Sequence, residues 1–216
     1  MVFTVVLVAW VFSLCLHEFS HAAVAYLGGD HTVKEKGYLT FNPLKFTDPL
    51  LSIILPILFL AIGGLPLPGG CVYIDRSLLR SRLWDSAVSI AGPLANVIFA
   101  VLLATPFLFG FVDPRVDDVF WSTYAAIILL QVCAVFFNLL PLPPLDGYGV
   151  ISPWFSDEVR SVTDNIGRHG ILVLVAIFWF VDPVARGFWQ AVFAATNLLG
   201  VSPDLAREGI LAFIPF

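Results

Sequence analysis

Residues 14–25 read LCLHEFSHAAVA and place three ionisable side chains inside an apolar run that extends from residue 2 to residue 27. A run of this length is sufficient to cross a bilayer as a helix. In a helix, His17 and His21 lie on one face, one turn apart, where their imidazoles can bind the same ion. Glu18 lies in the same turn. Because ionisable groups are costly at membrane depth, this cluster predicts a functional site within a first transmembrane helix.

His17, Glu18 and His21 form the H-E-x-x-H pattern, in which two histidines bind Zn²⁺ and the glutamate acts as general base. The alternative is a polar patch that forms hydrogen bonds with neighbouring helices. The spacing and the residue types favour the metal site. A removable signal peptide is also disfavoured, because no basic residue precedes the apolar run and cleavage near residues 22–25 would remove the motif itself.

The composition is that of an integral membrane protein. Of the 216 residues, 59% are hydrophobic and only 12% are charged, whereas a soluble domain has about 25% charged residues. The net charge of -5 and the lack of a basic run argue against nucleic-acid binding. Cys15, Cys71 and Cys133 are widely spaced, so neither a disulfide framework nor a cysteine zinc site is expected. No soluble domain is expected at either end.

The segment after the first helix contains the first departure from helical patterning. Gly28 and Gly29 predict the end of the helix. Residues 38–41 lie between Gly37 and an Asn-Pro pair, which predicts a short strand or hairpin arm.

Further apolar segments follow, separated by polar or broken stretches. Residues 49–67 contain two prolines and two glycines, which predict a re-entrant or broken element. Residues 68–85 hold three arginines and are expected to form a surface loop. Residues 86–112 and 119–140 are predicted helical spans, joined by the polar loop 113–118.

The C-terminal third is less regular. Residues 138–147, NLLPLPPLDG, contain too many prolines to remain helical, so the backbone is expected to unwind there. A polar stretch extends to residue 168. Residues 170–181 and 183–199 are two short apolar segments separated by an Asp-Pro pair, and they form either a hairpin or one broken helix.

A catalytic zinc site needs a third protein ligand, and Asp146 is the best candidate. It is an acidic residue that follows a full span and lies in the unwound, proline-framed stretch. It can reach His17 and His21 if the helices ending at residues 27 and 142 run parallel, with the helix at 86–112 returning between them. Asp146 alone could also be a simple Asp-Gly turn.

Other ligand sets fit less well. The extended H-E-x-x-H-x-x-G-x-x-H form needs Gly and His where this chain has Val24 and Leu27. Glu35 lies between two lysines, as expected of a solvated loop charge. His31 and His169 are alternative ligands, but each lies beside charged residues in a predicted surface segment, where an ordinary titrating histidine is commoner.

Helix parity and charge indicate the orientation. Residues 28–85 must begin and end on one side of the membrane, so the apolar element at 49–67 enters and returns. Most basic residues fall on the side of the metal site, whereas the 113–118 loop has one arginine beside three aspartates. By the positive-inside rule, the metal site faces the cytoplasm. The basic residues on that side are Lys34, Lys36, Lys45, Arg76, Arg80, Arg82, Arg160 and Arg168.

Four motifs, in this order over about residues 14–150, resemble the site-2 protease family of intramembrane zinc metalloproteases, peptidase family M50. The resemblance is to its small prokaryotic members without PDZ or CBS domains. The motifs are HEFSH at 17–21, GYLTFNPL at 37–44, AGPLAN at 91–96 and NLLPLPPLDG at 138–147. Many relatives have a second glycine where this chain has Tyr148, and the C-terminal third carries no family motif.

The resemblance implies that His17, His21 and Asp146 bind one Zn²⁺ per chain and that Glu18 is the catalytic base. The implied fold is an all-α polytopic membrane protein with a three-helix catalytic core over about residues 2–150. A short β-hairpin or strand insertion, a re-entrant element and C-terminal hydrophobic helices at about 168–200 complete a single domain.

The resemblance also implies that Asn138, together with Asn96, positions substrate backbone or stabilises the oxyanion. We further hypothesise that residues 37–44, including Leu39 and Thr40, offer a strand edge on which an unwound substrate pairs. A purely structural hairpin is the alternative.

The expected function is hydrolysis of peptide bonds within or near transmembrane segments, as in regulated intramembrane proteolysis. The expected partners are transmembrane protein substrates and the lipid bilayer of a prokaryotic cell membrane, with no nucleic acid. One alternative is a membrane metal-binding or transport protein, which has no special need for Glu18. The other is an inactive, protease-like scaffold, which is disfavoured because every expected catalytic side chain is present. The sequence does not determine the oligomeric state.

Overall fold

The computed structural model describes residues 2–46, 72–113, 118–167 and 170–213. Within these ranges the chain forms helices joined by short irregular segments, and no strand is found among them. The α-helices are α1 Val2–Gly28, α2 Thr32–Glu35, α3 Arg82–Leu108, α4 Val119–Asn138, α5 Asp146–Ile151, α6 Asp157–Gly167, α7 Gly170–Phe180, α8 Asp182–Leu198 and α9 Pro203–Phe213. Three short 3₁₀ helices cover Pro43–Lys45, Arg76–Leu78 and Ser152–Trp154.

Three helices of the described chain, α1, α3 and α4, are long and apolar enough to cross a membrane. The protein is therefore a multi-pass membrane protein, as its composition predicts. The helix α3 begins at Arg82, whereas the sequence placed residues 82–85 in a surface loop. That boundary was wrong because the Ser81 hydroxyl accepts the Trp84 N–H at 3.4 Å and so caps the helix earlier.

The end of α1 agrees with the sequence. Gly29 follows the helix with φ of 122°, a conformation that side chains other than glycine rarely adopt. The Asp30 N–H then donates to the carbonyl of Ala25 at 3.0 Å, which closes the last turn.

The chain divides into two compact units, and α1, α3 and α4 each contribute residues to both. The first unit comprises Met1–Trp10, Asn96–Phe137 and Leu172–Phe216. Its core includes Val6 and Ile127, with Leu103 and Leu130 packed against them.

The second unit comprises Val11–Ala95 and Asn138–Ile171 and contains the HEFSH motif. Small residues of α1, Ala22 and Ala25, pack there against Val33 and Val88. The partly buried side chains around this cluster are Val24, Tyr26, Tyr38, Leu39, Val72, Ile74 and Leu79.

Residues 37–46 were expected to contain a strand or hairpin, and the structure does not confirm it in the part of the chain it describes. Residues 39–41 are bends, and the Asn42 side chain accepts the Leu44 N–H at the start of a 3₁₀ turn. The stretch instead packs its side chains on α1. The ring of Phe41 lies 6.0 Å from that of Phe12 and 5.0 Å from that of Phe19.

This packing places Phe41 beside α1 well before the end of that helix. Phe19 and Phe12 precede the end of α1 at Gly28 by roughly 13 and 24 Å of helix. The chain therefore turns back along α1 after α2. The re-entrant element predicted at residues 49–67 lies outside the described residues.

The proline-rich stretch after α4 is not helical until residue 146, as predicted. Asp146 itself was expected in unwound backbone, but it is the first residue of α5. The close approach of Gly147 to the carbonyls of Leu139 and Leu140, which a Cβ at this position would overlap, places this turn of helix against the end of the loop.

The C-terminal apolar segments form two helices, α7 and α8, that bend by 93° at a short break. At 11 and 17 residues, each is shorter than the about 20 residues needed for a span. They count as a fourth candidate crossing if the bent pair is one span. The polar stretch before them contains the helix α6, which the sequence analysis did not predict.

Candidate metal centre

Two histidines of α1 and the first residue of α5 bring their side chains together. The Nε2 atoms of His17 and His21 are 3.0 Å apart. Asp146 Oδ2 lies 3.1 Å from Nε2 of His17, and its Oδ1 lies 3.4 Å from Nε2 of His21. Ligands about 2.0–2.1 Å from a tetrahedral zinc ion are separated by roughly 3.3 Å. The spacing of the three side chains therefore fits a zinc ion.

The orientation of His21 is fixed by the backbone of α3. Its Nδ1 lies 2.6 Å from the carbonyl oxygen of Val88. A carbonyl can only accept a hydrogen bond, so Nδ1 carries the proton. In the neutral ring, Nε2 then presents its lone pair towards His17 and Asp146, as in metal-binding histidines held by a backbone carbonyl.

The donor set is the second indication of a cation. His17 and His21 are each only 7% exposed. Asp146 Oδ2 is a buried oxygen without a hydrogen bond, despite its proximity to His17. Buried carboxylates and convergent lone pairs are stabilised by a positive ion between them. The residues present therefore fit a metal ion, and within the described residues these three form the cluster with suitable ligand spacing.

The ionisation of Asp146 suits this role. Burial alone would raise the pKa of this carboxyl group, but the rings of His21 and His17 lower it below its ordinary range. Because its pKa is lowered, Asp146 is a carboxylate at neutral pH.

Gly92 allows α3 to approach the two histidines of α1 closely. A Cβ at this position would overlap both imidazole rings. The sequence placed Gly92 within a motif, AGPLAN, but did not reveal that the motif clears space for the two candidate ligands.

Glu18 lies beside the three candidate ligands and is 5% exposed. The backbone N–H of Val72 lies near its carboxylate. The sequence analysis missed Val72 and Val88, because each acts through a backbone group that any residue type except proline can supply.

The two asparagines occupy different surroundings. Asn96 is 3% exposed, and its side-chain amide donates to Gln131 Oε1 at 3.3 Å within the first unit. Asn138 is the last residue of α4 and is partly buried, and no hydrogen bond joins it to the three candidate ligands in the described structure.

The remaining candidates lie away from the cluster. His31 is exposed, and its ring packs against Tyr26. Glu35 is exposed in α2. Leu39 packs in the core of the second unit, and the Thr40 hydroxyl accepts the Asn42 N–H. His169 lies outside the described residues.

Comparisons with known proteins give several bacterial relatives. "Putative zinc metalloprotease Rip2" of Mycolicibacterium smegmatis is 43% identical over 208 residues, which cover 96% of this chain and 79% of the relative. The protein of the same name from Mycobacterium tuberculosis strain H37Rv is 39% identical over 211 residues, with the same coverage. "Putative zinc metalloprotease YwhC" of Bacillus subtilis is 36% identical over 176 residues, or 77% of this chain and 76% of that relative. The chain matches no protein-family profile, and no solved structure matches it.

Proposed function

This chain belongs to the site-2 protease family of zinc metalloproteases, and we propose that it is an intramembrane endopeptidase. Its substrates are membrane proteins that it cleaves within or near a transmembrane segment. The observation that carries the proposal is the convergence of His17, His21 and Asp146. The two histidines and the adjacent Glu18 belong to α1, a helix that is long and apolar enough to span a membrane. A soluble peptidase has no need for such a location.

In this proposal His17, His21 and Asp146 hold the zinc ion. When bound, zinc supplies Lewis acidity and makes a water molecule acidic enough to lose its proton near neutral pH. The Val88 carbonyl keeps the Nε2 lone pair of His21 directed at the ion. The carboxylate of Asp146 balances part of the positive charge that would otherwise be buried.

Glu18 is assigned as the general base. It removes a proton from the attacking water and transfers it to the nitrogen of the leaving amine when the peptide bond breaks. Its carboxylate is buried next to the ligand cluster, which supports this role. The new C–O bond and the broken C–N bond leave a carboxyl group and an amine, so no further reactant is needed beyond water.

Asn138 is assigned to the substrate. It stands at the end of α4, eight positions before Asp146, with its amide partly exposed. An amide there can donate to the substrate carbonyl as negative charge develops, a contribution of about 3 to 4 kcal/mol for a well-placed donor. Asn96 is buried and already bonded to Gln131, which supports a packing role instead.

Residues 37–44 are proposed to contact the unwound substrate. A transmembrane helix must lose its internal hydrogen bonds before cleavage, so a backbone partner is needed for the exposed groups. The contacts of Phe41 place this stretch beside the part of α1 that carries the histidines. Within this stretch, Leu39 and Thr40 lie immediately before Phe41.

We also propose that the zinc face is cytoplasmic in a bacterial cell membrane. The basic residues cluster in segments that connect to the metal-site ends of the helices. The opposite ends of α3 and α4 carry aromatic side chains typical of a membrane interface. These are Phe107, Phe109, Phe111, Phe120, Trp121 and Tyr124.

The experiment compares zinc content and cleavage in purified wild type, Glu18→Gln and Asp146→Ala, with a panel of single-span substrates in detergent. We expect Glu18→Gln to retain zinc without cleaving and Asp146→Ala to lose zinc. Wild-type turnover by Glu18→Gln would contradict the base assignment. Zinc transport into vesicles without peptide cleavage by the wild type would favour the metal-transport alternative.

A further inference from the structure

The helix α5, which carries Asp146, is too short to hold its own position. It has six residues, and its N-cap residue, Leu145, makes no side-chain cap. Isolated helices of this length are unstable in water, because the cost of forming the first turn is not recovered. The position of the Asp146 carboxylate therefore depends on what the rest of α5 contacts.

Ser86 of α3 makes the first of these contacts. Its hydroxyl donates to the carbonyl oxygen of Val150 at 2.7 Å. The Ser86 hydroxyl oxygen in turn accepts the indole N–H of Trp154 at 2.9 Å. Val150 is four residues after Asp146, so this bond holds α5 about one turn beyond the carboxylate.

Ser89, about one turn further along α3, makes the second contact. Gly149 packs so closely on it that a Cβ at Gly149 would overlap the Ser89 hydroxyl. The guanidinium of Arg76 donates to that hydroxyl from both terminal nitrogens, at 3.3 Å each, and forms an ion pair with Asp85. Ser89 is 2% exposed, so this arrangement leaves it little freedom to move.

The helix α3 therefore contacts both elements that supply the candidate ligands. Val88 and Gly92 contact the histidines of α1, while Ser86 and Ser89 contact α5. Contacts with the same helix, α3, therefore position the histidines of α1 relative to Asp146 of α5.

We propose that Ser86 and Ser89 are positioning residues, which hold α5 so that Asp146 meets the two histidines. The proposal rests on the zinc ligands assigned above. Neither serine touches the ion or the substrate. Removal of a group that orients a metal ligand typically changes metal affinity by about 10–100-fold, and Ser86 and Ser89 orient Asp146 through the helix that carries it.

The test measures zinc affinity by competition with a chelator, together with the visible absorption of the Co²⁺-substituted protein, which reports ligand geometry. Ser86→Ala should weaken zinc binding at least about 10-fold and alter the Co²⁺ spectrum. Ser86→Thr keeps the hydroxyl and should bind zinc like the wild type. Ser122→Ala is the matched control, because the Ser122 hydroxyl donates to the carbonyl of Val119 in α4 and lies in the other unit.

A double mutant tests the contact between Ser89 and α5. Gly149→Ala should displace α5 and weaken zinc binding, and adding Ser89→Ala should restore part of the affinity by removing the overlapping oxygen. Additive losses would contradict the contact, because independent sites add and coupled ones do not.

Asp146→Ala, measured in parallel, distinguishes failure of the positioning proposal from failure of the zinc-ligand assignment. If it loses zinc while Ser86→Ala retains wild-type affinity and spectrum, the positioning proposal is wrong and the ligand assignment stands. If Asp146→Ala binds zinc like the wild type, the ligand set itself is wrong. Trp154→Phe keeps the test available if Ser86→Ala does not fold, since Trp154 is 54% exposed. We expect it to weaken zinc binding a few-fold, and unchanged affinity would count against the anchoring role of Ser86.

Discussion

Gly92 controls how closely α3 can approach the candidate zinc ligands. Because an added Cβ would overlap both imidazole rings, we predict that Gly92→Ala lowers zinc affinity by about 100-fold or more, equivalent to about 3 kcal/mol. The measurement is zinc content and chelator competition on purified protein.

Gly187→Ala provides the matched control for this substitution. Gly187 also lies within a helix, α8, but a Cβ there meets no atom within 4 Å. Ala is a better helix former than Gly by about 1 kcal/mol, so Gly187→Ala should retain zinc and be equally or more stable. Equal zinc binding by both variants would show that the space at Gly92 is not required.

The ionisation of Asp146 leads to a prediction about how zinc affinity depends on pH. Zinc ligands must be deprotonated, so zinc affinity falls as pH falls, with one unit of slope for each ligand that takes up a proton on release. The pKa of Asp146 is held below the ordinary value for aspartate, so this carboxylate stays charged where a free aspartate begins to take up a proton. Between about pH 4.5 and 6, the logarithm of zinc affinity should therefore change by no more than about 2 per pH unit, because only two ligands besides Asp146 can take up a proton.

Zinc affinity is measured by competition at each pH, with the chelator's own proton affinities known. A slope near 3 would mean that Asp146 also protonates in this range.

At the residue scale, the sequence indicated which side chains belong to the candidate site, but it did not indicate the backbone groups that contact them. His17, Glu18, His21 and Asp146 were identifiable because their spacing and chemistry are unusual in an apolar chain. The Val88 carbonyl was not, since every residue has one and only the packing of α3 on α1 selects it.

At the scale of single elements, the stretch 37–46 shows where pattern alone is insufficient. Residues 38–41, bounded by Gly37 and an Asn-Pro pair, suit a strand, but a strand needs a neighbour, and the part of the structure that is described offers none there. Aromatic stacking of Phe41 on α1 determines its path instead. The ends of α1 and the start of α4 were predicted better, because apolar length and terminal glycines are local signals.

The proposed contact of this stretch with substrate can be tested by removing one backbone donor. Thr40→Pro eliminates the Thr40 N–H and should reduce cleavage at least about 10-fold while zinc content stays unchanged. Thr40→Val is the control, because it removes only the hydroxyl that accepts the Asn42 N–H. If Thr40→Pro cleaves at the wild-type rate, or if both variants lose activity equally, pairing of substrate with this backbone is not supported.

At the scale of the whole molecule, three long apolar helices could be read from composition and length alone. The bend between α7 and α8 could not, because an Asp-Pro pair allows a hairpin, a kink or a helix start. Charge asymmetry supplies what helix prediction lacks, namely a direction across the membrane.

The proposed orientation leads to opposite labelling of two exposed positions. Ser161 lies in α6 on the side expected to be cytoplasmic, and Asp113 lies in the connection between α3 and α4 on the other side. Each is replaced by cysteine in a variant whose native cysteines are alanine and whose zinc content has been checked. In intact cells, a membrane-impermeant maleimide should label Asp113→Cys and should label Ser161→Cys only after the cells are permeabilised. The reverse pattern would place the zinc face outside the cell, and labelling of both positions in intact cells would contradict the single membrane crossing by α4 between them.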